Sequence, residues 1–272
     1  MSAFYRKSAY IASTALSLSL ASFAAHAYPA LPNLVNQNFT DYTGSAPKGS
    51  FTSVAPVGWT GGSGLIFIDG QTPSTSADST TYLQTYANPV GTVAGNYVEA
   101  DGNPTFESGF NYNVTGLTVG QKYSLSFYQG ASQQTGFVGT TTNQWIVSLG
   151  KAGLSVSITG GGGTGVGHYS NSDPLASIAT TPLMTVPTGT AVGWNFVTVT
   201  LTADSTQDLL SFLAWGDNGS TANLPPMAFL SGVDSPSGHG APEPASLTLL
   251  GVGLVGVGVI ARRRRGKNST SN

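Results

Sequence analysis

Lys122-Tyr123-Ser124-Leu125-Ser126-Phe127-Tyr128 alternates bulky apolar and small polar side chains, which puts Tyr123, Leu125 and Phe127 on one side of an extended chain. The same period of two returns in Phe196-Val197-Thr198-Val199-Thr200-Leu201-Thr202. There Val197, Val199 and Leu201 face inward and the threonines outward. Leu154, Val156 and Ile158 alternate with Ser155 and Ser157 in the same way. Short apolar runs at 65–68, 97–100, 145–149, 209–214 and 227–233 predict further strands. The 36 glycines and 15 prolines punctuate nearly every stretch between these runs. The body contains no ten-residue amphipathic helix and no convincing internal repeat. The pattern predicts an all-β chain, an antiparallel β-sandwich spanning 28–233, and roughly two hundred residues suffice for one buried core.

Composition narrows the function. Charged residues make up only 8% of the chain, and Cys is absent. Without Cys there is no disulfide scaffold, iron–sulfur cluster, thiol nucleophile or Cys-ligated zinc. Three histidines offer little for a His-based centre. The formal net charge of −2 conceals a segregation. Span 28–241 keeps three lysines (Lys48, Lys122, Lys151) against eleven acids, a formal −8, while the other seven basic residues lie near the two ends. Such a body does not suit a phosphate backbone, and no nucleic-acid partner is expected.

Both ends read as addresses. Arg6 and Lys7 precede an apolar run from Ile11 to Ala25, followed by Ala25-His26-Ala27. This order predicts a signal peptide over 1–27, cleaved after Ala27 by signal peptidase with Ala25 and Ala27 as the small residues. An uncleaved anchor is the alternative, but the run is short of a bilayer span. At the other end, Asp234-Ser235-Pro236-Ser237-Gly238-His239-Gly240 has the composition of a spacer and makes 234–241 a linker. Pro242-Glu243-Pro244 follows, then an uncharged Gly/Leu-rich stretch over about 245–261, then Arg262, Arg263, Arg264 and Arg265. Backbone groups in lipid must satisfy one another, so this stretch is expected to be a transmembrane helix. The arginines hold its far end in the cytoplasm and leave the body outside.

Those three parts, in that order, resemble the PEP-CTERM sorting signal of Gram-negative bacteria, also known as the ice-binding protein C-terminal domain. The resemblance covers 242–267. It implies a tail held transiently in the inner membrane and recognised by an exosortase, a membrane transpeptidase acting near Pro242-Glu243-Pro244. The prolines keep that segment extended and outside the helix. The body is then expected in the periplasm and afterwards at the cell surface or in the extracellular matrix, associated with exopolysaccharide or biofilm.

Parts of the body resemble carbohydrate-binding jelly rolls of the galactose-binding-like type. Leu34-Val35-Asn36-Gln37-Asn38-Phe39 is similar to their opening strand, and Pro56-Val57-Gly58-Trp59 to the turn that follows. The segments 95–102 and 115–127, Trp194 with the strand at 196–202, and Leu210-Ser211-Phe212 also match, in the right order. Tyr112 replaces a family Gln, and Ser231-Gly232-Val233 replaces Asp-x-Val, so no ligand or calcium role is carried over from the family.

Candidate contacts remain. Glu99 and Asp101 lie two apart on a predicted strand and share a face, with Glu107 nearby in sequence. Paired carboxylates suit glycoside hydrolysis or calcium, although a solvated acidic face is the commoner outcome. Trp145 and Trp215 adjoin polar or Gly-rich loops and are the tryptophans expected to be open to a sugar ring, against the commoner fate of core packing. The glycine-dominated loop 160–167 lacks the Lys-Ser/Thr and helix of a phosphate loop. No catalytic set, metal site or cofactor is expected. The chain reads as a non-enzymatic exported protein, with a polysaccharide-binding module as the alternative. A glycoside hydrolase and an ice-binding protein stand further back, the latter because ice binders usually need a repeat.

Overall fold

The computed structural model describes residues 28–43, 49–50, 55–61, 64–70, 85–87, 91, 93–160, 165–222 and 224–234. All belong to one unit, Ala27–Ala241. The predicted signal peptide and the segment 242–267 lie outside the described residues, as does most of the linker. No helix among the described residues is long and apolar enough to cross a membrane.

The fold is all-β, an antiparallel sandwich. The first sheet orders β1 (Gly49–Ser50), β3 (Ile66–Asp69), β4 (Tyr97–Asp101), β14 (Pro226–Asp234), β6 (Lys122–Gln133) and β12 (Val192–Thr202). The second orders β10 (Ser177–Thr180), β7 (Thr141–Gly150), β13 (Gln207–Gly216), β5 (Gly109–Thr115) and β2 (Trp59–Gly61), with β11 (Met184–Val186) also paired to β7. Neighbours in space are mostly distant in sequence, as in jelly-roll-like sandwiches. A separate hairpin joins β8 (Leu154–Thr159) to β9 (Val166–Asn171).

Alternation decides what each strand buries. Tyr123, Leu125 and Phe127 of β6 and Val197, Val199 and Leu201 of β12 enter the core from the first sheet, as their pattern predicts. From the second sheet come Phe110, Tyr112 and Val114, then Trp145, Val147 and Leu149, then Leu210, Phe212 and Ala214. Phe212 is at the centre. It stacks on Phe110 at 5.2 Å and 12° and meets Phe127 edge-on at 5.3 Å and Trp145 at 6.2 Å. The Trp145 indole N–H reaches across the sandwich and donates to the Phe229 carbonyl at 3.1 Å. Gly58, at φ +88°, shows why the turn before Trp59 needs glycine: a Cβ there would lie 3.0 Å from Val35 Cγ2 and 3.1 Å from Tyr112 Cε2.

Two features depart from a plain two-layer expectation. The 154–159 strand joins neither large sheet. With β9 it packs over the second sheet's outer face, where Leu154, Val156 and Tyr169 cover Ile146, Leu213 and Trp215. Glu107 accepts a hydrogen bond from the Val156 N–H at 2.9 Å and ties the hairpin down. The first sheet's outer face is also covered. A register shift between Val192 and Asn195 interrupts the pairing of β12. Trp194, within that interruption, lies 5.7 Å from Tyr97 and 6.4 Å from Phe229. Phe67 and Met227 complete this second apolar cluster.

Candidate functional site

The predicted glycan contacts are corrected by burial. Trp145 is 0% exposed and Trp215 5%, so neither indole offers a face to a sugar ring. Trp145 occupies the inward register of β7, and Trp215 is covered by the hairpin, with Tyr169 edge-on at 5.1 Å. Proximity to loops in sequence misled because β7 and β13 extend past the predicted segments. Glu99 and Asp101 do share a face of β4, but that face is covered, leaving them 4% and 0% exposed. They are neither solvated nor open to a polymer.

The neighbour of Glu99 is Asp69, on the adjacent strand β3. Burial pushes the Glu99 carboxyl well up, and a hydrogen bond with Asp69 adds to the shift. Two carboxyls make that bond only with a proton between them. Burial, then the charges of Asp69 and Glu99, raise the Tyr97 phenol as well. Asp101 is pushed up to about 7, chiefly by burial and partly by the charge of Asp217, against the lowering effect of the Asn103 N–H. That N–H donates to Asp101 Oδ1 at 2.8 Å. At the two positions that depart from the jelly-roll pattern, the Tyr112 hydroxyl donates to the Asn33 carbonyl at 2.7 Å, and the Ser231 hydroxyl to the Asn96 carbonyl at 2.7 Å.

An open site lies on the second sheet's outer face, beside the hairpin. A cleft of about 390 Å³ is lined by Thr60, Asn113, Lys151, Gln207 and Asp208, with Gly58 and Leu209. Thr60, Asn113 and Gln207 sit at outward strand positions of β2, β5 and β13 and Lys151 in the turn after β7, whereas Asp208 is buried in the inward register of β13. Lys151 reaches Asp204 at 3.2 Å, and this contact holds its ammonium pKa up. Asp208 is pushed up to about 6 by burial and a hydrogen bond with Asp204. Asp173, by contrast, is held down by the backbone N–H groups of Lys151 and Leu175, at 2.8 and 3.0 Å. Sequence reading missed this cleft because its residues come from four separate segments. His168, exposed on β9, sits 3.1 Å from the Thr159 hydroxyl.

Residues 241–265 match the family model of the PEP-CTERM protein-sorting motif. The chain carries that motif. The match spans Pro242, Glu243, Pro244 and all four arginines, and it marks an exported protein, sorted through the membrane of a Gram-negative bacterium and processed by exosortase. Comparison with curated proteins finds no match. Among solved structures, the sorted chain is similar to an arabinose-bound α-L-arabinofuranosidase, with a TM-score of 0.36 and 13% identity over 75% of this chain and 26% of that one. A second is the enzymatically active domain of bacteriophage CBA120 tailspike protein 4, with a TM-score of 0.26 and 10% identity over 75% and 24%. This chain spans about a quarter of either, and likenesses at that level carry no argument about activity.

Proposed function

We propose that the sorted chain is a non-enzymatic surface or extracellular-matrix protein, associated with exopolysaccharide or biofilm and released from its membrane tail by exosortase. The sorting motif carries this reading: a cleavable address attached to a densely packed sandwich suits a body that is delivered and then persists outside the cell. The burial of Glu99 and Asp101 supports a non-enzymatic role. Glycoside hydrolysis needs two carboxyls separated by the width of a reacting bond and open to it, whereas Glu99 bonds directly to Asp69 beneath an apolar cover. Replacing Pro242-Glu243-Pro244 with alanines tests the sorting step. The variant is expected to stay in the membrane fraction while the parent leaves it, and release of both at the same rate would refute the processing.

A second reading, a polysaccharide-binding module, is favoured by the cleft beside the hairpin. Its amide, hydroxyl and ammonium groups are the kind that hydrogen-bond sugar hydroxyls. Retention of the chain on the host's exopolysaccharide, lost on Asn113→Ala, supports this reading. Failure to bind any extracted polysaccharide removes it and leaves the sorting reading untouched.

A further inference from the structure

β12 ends the first sheet, and β10 beside it ends the second. Natural sheets keep their edge strands short, charged or interrupted by proline, because an open row of N–H and C=O groups recruits another strand. The other edges among the described residues are short: β10 has four residues, β2 three and β1 two. β12 has eleven, and from Val192 to Thr202 it contains neither a charge nor a proline. A register shift interrupts only its beginning, between Val192 and Asn195. From Asn195 to Thr202 it pairs with β6 without a break.

The ladder shows which groups are left open. Antiparallel strands bond a given neighbour through alternate residues. Ala203, one step past the strand, donates its N–H to the Gln121 carbonyl at 3.0 Å and accepts the Gly120 N–H at 2.8 Å, so it faces β6. Ser124, opposite Thr200, turns its N–H the other way, to the Pro29 carbonyl at 2.8 Å. Both contacts fix the same phase. Val197, Val199 and Leu201 bond β6, whereas Phe196, Thr198, Thr200 and Thr202 turn their N–H and C=O groups to the open side. The same four carry the outward side chains, with Phe196 50% exposed and Thr198 and Thr200 exposed as well.

Charge singles out the same side. Span 28–241 carries a formal −8, so two copies repel one another at long range. From Pro174 to Ala203, however, no residue is charged and none is histidine. That stretch supplies both edge strands, β10 and β12, and four exposed apolar side chains, Leu175, Ile178, Leu183 and Phe196. Lys122 beside Thr202 and Asp204 just beyond it are opposite in sign.

We propose that two copies of this chain join edge to edge through β12, making one continuous sheet across a twofold axis. Antiparallel pairing must set open residue against open residue. An axis through Val199 does this for all four: Thr198 meets the partner's Thr200, and Phe196 meets the partner's Thr202. An axis between two residues opposes open groups to bonded ones. Centring on Thr198 would set Thr202 against Trp194, inside the register shift, and centring on Thr200 would set Phe196 against Asp204, beyond the strand. A contact that uses one patch twice closes on itself, which gives a dimer and not a fibre. It stands independently of the sorting and polysaccharide readings.

Sedimentation equilibrium of the full chain in density-matched detergent tests the contact, and a reversible dimer is expected. Thr198 and Thr200 oppose each other across the axis. The double variant Thr198→Lys, Thr200→Lys therefore sets like charges together and is expected to weaken dimerisation about tenfold or more, as is Thr198→Glu, Thr200→Glu. Mixing the two is expected to restore a dimer with one copy of each, which neither misfolding nor pairing through the tail would give. Should the variants fail to fold, amide exchange of the parent decides. Phe196, Thr198, Thr200 and Thr202 are expected to gain protection as concentration rises, while Val197 and Val199 stay protected throughout. A monomeric parent would overturn the proposal, as would a dimer that survives both double variants, a mixture that stays monomeric, or free exchange of the four amides where the parent is dimeric.

Discussion

Strand β13 carries an acidic group at each end, and the two ends differ in how their charge is balanced. At its start, Asp208 joins Asp204 and Asp173 around Lys151. At its finish, Asp217 approaches Asp101 with no lysine or arginine among the described residues to balance either. The strand's ten residues separate these ends by roughly 30 Å, well beyond the screening length at physiological salt, so each end solves its electrostatics locally. One end supplies its own cation. The other leaves two carboxylates near each other, each held by a single backbone N–H, from Asn103 and from Thr142. Acid clusters therefore differ less in their acids than in what the fold puts opposite them.

The largest way to break this comparison is through the middle. Phe212 is fully buried between the two ends, against Phe110, Phe127 and Trp145. Phe212→Ala is expected to cost about 3–5 kcal/mol and to unfold both ends together. Urea unfolding followed by tryptophan fluorescence and by amide exchange at each end checks this; separate midpoints for the two ends would show that they are not one cooperative unit.

A smaller effect sharpens the contrast. Lys151→Met turns the balanced end into a second unbalanced one, leaving Asp173, Asp204 and Asp208 to repel one another. Tm is expected to fall, more at low salt than at high, because the lost term is charge against charge. A Tm drop of equal size at both salt concentrations would assign the effect to packing.

The smallest effect is a slope. Asp208 holds its proton in the folded state up to about pH 6, whereas an unfolded Asp releases it near pH 3.9. The folded state thus binds more protons between these values, and this group's contribution to stability falls as pH rises from about 4 to 6, then levels off. Lys151, Asp204 and Asp173 are the charged groups facing it. Asp208→Asn is expected to remove that part of the pH dependence, read as urea midpoints from pH 4 to 8. An unchanged slope would show that Asp208 titrates normally.

Much of the frame was legible in the chain. The alternation in 122–128 and 196–202 reports which side chains share a face, because successive residues of a strand point to opposite sides whatever surrounds them. The tail was legible for a similar reason: prolines, an uncharged stretch and four arginines act through local chemistry and order. The site residues were not. Alternation placed Glu99 and Asp101 together but could not say that Trp194 and Phe229 would cover their face. Trp145 and Trp215 were misjudged because closeness to a loop in sequence is not closeness to solvent.

The sequence by itself determined the strand periodicity, the excess of acids in the body and the sorting address, since each follows from neighbouring residues. Only the tertiary structure decided which acids meet a lysine and which meet another acid. Asp101 and Asp217 are separated by 116 positions and look like ordinary strand-end residues. They come together because strands distant in the chain are neighbours in the sheets, and the low dielectric of that junction turns their nearness into an energetic demand.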